Sequence, residues 1–106
     1  MLVHAYGEYW LASEVDWGKS GKQGHLWGYS SKKSKPVDHW EQRGIYVLFQ
    51  GFTPVYVGQT LHQPLGQRLR HHWNSIDKRG RWDRFSWYGV RDTSETSSQT
   101  DKTHYN

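Results

Sequence analysis

The stretch from Gly44 to His72 limits the folds open to this chain more than any other part of it. It reads GIYVLFQ, then GFTP, then VYVG, then a polar link and LGQRLRHH. Ile45, Val47 and Phe49 alternate with Tyr46, Leu48 and Gln50, the period of a strand. Val55–Val57 is a second β-branched piece, and Gly51-Phe52-Thr53-Pro54 between them has turn chemistry. The pair therefore predicts a hairpin. If its turn centres on Phe52, opposed residues have numbers summing to 104 and all even positions share one face. Tyr46 and Tyr56 then project on the same side.

A helix is predicted after the hairpin. Pro64 suits a first helical position, and Leu65, Leu69, Trp73 and Ile76 recur at helical spacing. Arg68 and His72, four residues apart, stack on one flank of that helix. Gly80 ends the run, and Arg84–Val90 alternates as a third strand.

Gly44-Ile45-Tyr46, then Tyr56-Val57-Gly58, then Arg68 with His72, in this order, resemble the core of the GIY-YIG nuclease family. The resemblance covers about a quarter of the chain directly. It implies an α+β fold, a small, mainly antiparallel three-stranded sheet flanked by helices. It also implies a metal-dependent endonuclease that hydrolyses DNA phosphodiester bonds. Tyr46 would be the general base, Tyr56 its partner, Arg68 the phosphate clamp and His72 a supporting proton or hydrogen-bond group. Gly58, Arg70 and His71 would meet substrate. The family's metal is Mg²⁺ or Mn²⁺, held mainly by a glutamate on a helix after the third strand. That glutamate has no clear counterpart here. Asp92, Glu95 and Asp101 follow Val90 in a stretch without helical apolar period. Glu95 is one candidate substitute, but the expectation is that the helix bearing the glutamate is absent from this chain.

The chemistry asks for these residue types. Hydrolysis of a phosphodiester needs a water to lose a proton and the phosphoryl charge to be stabilised. An arginine fork matches a phosphate in bidentate fashion. A tyrosine with an ordinary pKa near ~10 is only about 0.1% phenolate at pH 7, so it acts as a base only with help from its surroundings. The alternative for the same scaffold is a non-catalytic nucleic-acid-binding module.

Composition favours a polyanionic partner, most simply nucleic acid; the resemblance implies double-stranded DNA. Lys and Arg number 14 against 10 acidic residues, for a net charge of +4. Several cluster, at Lys32, Lys33 and Lys35 and again at Lys78, Arg79, Arg81 and Arg84. No zinc-finger or helix-turn-helix pattern is visible, so weak sequence preference is expected. Cysteine is absent, which fits a reducing compartment. No apolar run approaches the ~20 residues of a membrane helix, and Met1-Leu2-Val3-His4 is unlike a secretory signal. The expectation is a soluble, cytoplasmic protein of undetermined oligomeric state.

Three segments are expected. Residues 1–43 form an aromatic-rich N-terminal extension packing on the core, and residues 44–91 form that core. Residues 92–106 form a polar tail or loop. Within the first, Val3–Val15 reads as an ordered element of undecided type, and Gly18–Pro36 reads as exposed loop broken by short extended pieces. The 7 Trp and 7 Tyr are read mostly as packing residues that supply the apolar area the few aliphatics do not. The histidines outside the helix have no spacing that suggests a metal cluster.

Overall fold

A computed structural model describes residues 2–28, 35–75 and 81–91. The expectations placed on Tyr29, Lys32, Lys33, Ile76, Lys78, Arg79, Gly80 and residues 92–106, Glu95 included, lie outside these. In chain order the elements are β1 (Leu2–Leu11), a 3-10 turn (Ala12–Glu14), β2 (Asp16–Lys19), β3 (Lys22–His25) and β4 (Trp27–Gly28). Then come β5 (Val37–Asp38), β6 (Gly44–Gln50), β7 (Thr53–Thr60), α1 (Leu65–Asn74) and β8 (Arg84–Arg91).

The expected three-stranded sheet flanked by helices is not what forms. The main sheet has four strands in the order β1-β8-β6-β7, with every neighbouring pair antiparallel. Strand makes up 57% of the described residues, and α1 is the one α-helix among them. The added strand is β1, which runs along β8 from Leu2↔Arg91 to Leu11↔Arg84. Its sequence hides the strand period because the pairing slips twice, between Val3 and Ala5 and between Gly7 and Trp10. Each slip moves the following side chains out of simple alternation. Tyr9, inside the second slip, has φ 57, the left-handed region that costs an L-residue strain. Its amide donates to the buried Ser86 hydroxyl at 3.0 Å, and its ring packs on Phe49 and Phe52.

Part of the expected Gly18–Pro36 loop is also ordered. β2 and β3 close a hairpin, and β4 pairs with β5. Asp38 anchors that pairing from its centre. Its Oδ1 accepts from the Leu26 and Trp40 amides at 2.9 Å each, and its Oδ2 contacts His25 Nδ1 at 2.8 Å. Burial resists the charge on Asp38, but these hydrogen bonds outweigh it and hold the carboxyl below its ordinary range.

The β6–β7 hairpin keeps the predicted register from Gly44↔Thr60 to Leu48↔Tyr56. A bulge at Val55 then shifts it by one, giving Phe49↔Pro54 and Gln50↔Thr53. The bulge accommodates Pro54, which has no amide for the ladder. Gly51 takes the positive φ, 61, that the tight turn requires.

The core lies on one face of the sheet. Tyr46, Leu48, Phe85 and Trp87 meet Leu65 and Leu69 of α1, closed in by Ala12, Leu26, Trp40 and Trp82. α1 seats where the chain near Trp40 can meet its first turn. The Leu65 amide donates to the Gln42 carbonyl and the Gly66 amide to the Trp40 carbonyl, so two amides a helix start leaves orphaned are satisfied. A Cβ on Gly66 would sit 2.0 Å from the Trp40 ring. Only a residue without a side chain lets the helix come this close.

Candidate active site at the sheet–helix junction

The buried side of α1 carries Leu65, Gly66, Leu69 and His72. An imidazole at the end of such a stripe needs a polar partner on the sheet. Tyr46 of β6 supplies it: its hydroxyl lies 2.8 Å from His72 Nε2. One turn earlier, Arg68 donates from Nε to the same hydroxyl at 3.3 Å. An oxygen that accepts from Arg68 still has its own proton to place, and His72 Nε2 is within range to receive it.

Tyr56 of β7 joins from the same sheet face, as the even-numbered register predicts. Its ring centroid is 6.1 Å from Tyr46 and 5.0 Å from His72. The two tyrosines differ in access. Tyr46 is 0% exposed and Tyr56 is 36% exposed.

Gly58 pairs directly with Tyr46 across the ladder. A Cβ there would lie 2.3 Å from the Tyr46 hydroxyl oxygen. Gly58 therefore keeps open the space in which the hydroxyl meets its partners. Gly58→Ala is expected to displace Tyr46, break its bond to His72 and cost about 1–3 kcal/mol through overpacking. The check is the His72 imidazole NMR signal with a denaturation curve. An unchanged signal and midpoint would remove Gly58 from this account.

Arg70 is half-buried and His71 is exposed. The His71 ring stands edge-on to His72 at 6.3 Å. Neither residue supplies the two hydrogen bonds to the Tyr46 hydroxyl. They flank the cluster rather than complete it.

The Arg68 contact does not make Tyr46 acidic. Burial pushes the Tyr46 hydroxyl above its ordinary value, and the hydrogen bond and charge of Arg68 only partly offset it. The same contact with Tyr46 raises Arg68. At neutral pH the cluster therefore holds a protonated Tyr46.

The donor set does not fit Mg²⁺. It comprises two phenols, an imidazole and a guanidinium, whereas Mg²⁺ takes carboxylate oxygens and water. No group of three or more His, Cys, Asp or Glu gathers as a metal site among the described residues.

Sequence reasoning missed the His25–Asp38 pair, because its partners are brought together by the β4–β5 pairing and by no spacing along the chain. No protein-family model matches the chain, and no curated protein or solved structure matches it either.

Proposed function

We propose that this chain is an endonuclease acting on DNA phosphodiester bonds through a tyrosine-centred site of the GIY-YIG type. One observation carries the reading. Side chains from β6, β7 and α1 converge so that the Tyr46 hydroxyl is held between Arg68 and His72, with Tyr56 beside it. A pair of packing tyrosines has no need of an arginine and a buried imidazole on one hydroxyl.

In this reading Arg68 contacts the phosphoryl oxygens and stabilises the charge that develops there. Tyr56 is the phenol that a substrate-bound water can approach. A proton taken up at Tyr56 passes through the Tyr46 hydroxyl to His72 Nε2, each oxygen gaining one proton as it gives up another. The different exposure of the two tyrosines supports surface contact at Tyr56 and the relay at Tyr46 in this reading. Glu95, the candidate substitute for the family's metal-binding glutamate, lies outside the described residues. The absence of cysteine supports a reducing, cytoplasmic setting. No helix of the described residues is long and apolar enough to cross a membrane.

The test is nicking of supercoiled plasmid, with Mg²⁺ or Mn²⁺ and with chelator. Wild type is expected to nick, and Tyr46→Phe and Tyr56→Phe to lose most of that activity. A second reading is a DNA-binding module that does not cut, favoured by the raised pKa of Tyr46. Binding without nicking under any of these conditions would select it.

Both readings expect electrostatic binding. With a net charge of +4 and no recognised base-reading motif, affinity for duplex DNA should fall steeply with salt and depend little on sequence. Titrations at several salt concentrations measure the slope. A flat slope would rule out phosphate contact as the main term.

A further inference from the structure

At the second slip of β1, the sheet and the β2–β3 hairpin border a cleft of about 350 Å³. This is within the ~300–1,000 Å³ range of small-ligand pockets. It is lined by Tyr9, Trp10 and Trp27 and by the acidic residues Glu14 and Asp16; the Tyr9 ring itself turns to Phe49 and Phe52, while Trp10 packs edge-on to Phe85 and Trp87. His25 also lines it, held by Asp38 at 2.8 Å and stacked on Trp27 at 4.8 Å and 23°. The strained backbone of Tyr9 lies in this wall.

The charge of the lining points one way. Arg84 is the cation in it, and its guanidinium is already engaged, 4.8 Å over the Phe52 ring and donating to the Tyr9 carbonyl at 3.4 Å. Against it stand Glu14 and Asp16, with Asp38 behind His25. Phosphate or carboxylate ligands would meet repulsion here. The electron-rich ring faces attract cations and favour those with apolar substituents over hydrated metal ions. A metal ion also lacks ligands, since no cluster of three or more metal-binding side chains gathers among the described residues.

We infer that this cleft is a binding site for an organic cation, an alkylated ammonium held by Trp10 and Trp27 and neutralised by Glu14 and Asp16. The site does not depend on the endonuclease reading. The same chemistry is carried by a free quaternary amine and by a methylated lysine side chain of a protein.

The experiment titrates the 106-residue, isotope-labelled chain with choline and with its uncharged isostere 3,3-dimethylbutan-1-ol, at constant ionic strength, following the tryptophan indole signals. Choline is expected to give saturable shifts at Trp10 and Trp27, and the alcohol about tenfold weaker ones. Trp27→Ala, at a residue 51% exposed, should weaken choline about tenfold. Glu14→Gln, on the exposed turn, should weaken it about threefold and guards against a folding defect in the first variant. A trimethyl-lysine peptide that binds more tightly than choline assigns the cation to a protein partner, and the reverse order assigns it to a free amine. The inference is overturned if choline does not saturate, if the alcohol binds equally well, or if both variants bind choline as wild type does.

Discussion

Arg68→Ala is expected to slow plasmid nicking by about 10²–10³-fold, the usual cost of removing one donor aimed at developing transition-state charge. Duplex binding should weaken only modestly, since Lys and Arg number 14 in the chain. The variant also frees the Tyr46 hydroxyl of its 3.3 Å contact with Nε. Burial would then raise Tyr46 with less opposition, so the proton relay and the phosphate contact are lost together. Arg68→Lys should recover little, because an ammonium does not reproduce the planar fork. The measurement is nicking rate beside binding affinity for wild type and both variants. A wild type that cuts and an Arg68→Ala that cuts equally fast would refute the proposed mechanism.

Trp87→Ala is expected to cost about 3–5 kcal/mol of folding free energy, the range for removing a large buried ring. Trp87 is 0% exposed on β8, between Gly7 of β1 and Tyr46 of β6. Trp10 stands edge-on to it at 5.6 Å and His39 lies against it at 4.9 Å. Such a loss is a large part of the total stability of a small domain, about 5–15 kcal/mol. Trp87→Phe should cost much less. The indole Nε1 is buried without a hydrogen-bond partner among the described residues, so the smaller ring leaves a void but removes an unsatisfied donor. Urea denaturation separates the two, with midpoints falling in that order at unchanged slope. Equal midpoints for wild type and Trp87→Ala would contradict the assigned core.

Where the structure agrees with the sequence reading, local pattern and local geometry coincide. Tyr46 and Tyr56 share a face because the turn sets the parity of the hairpin. Arg68 and His72 share a flank because they are one helical turn apart. Other features come from long-range pairing that no local window contains. β1 is concealed by its two slips, and the His25–Asp38 contact depends on β4 meeting β5. The balance at Tyr46 was not legible either. The sequence shows which cation stands near, but burial depends on the whole fold.

The pairing of β1 with β8 sets an order of events as the chain is made. β6, β7 and α1 are contiguous, and their contacts close short loops, so this half of the sheet can assemble early. Leu2 meets Arg91, and Leu11 meets Arg84. Until Arg84–Arg91 leaves the ribosome, β1 has no partner and β6 lacks the neighbour on its other side. β1 is thus secured only after β8, which follows it by about 70 residues, has been made. Over that interval its exposed edge must be kept from pairing with other chains.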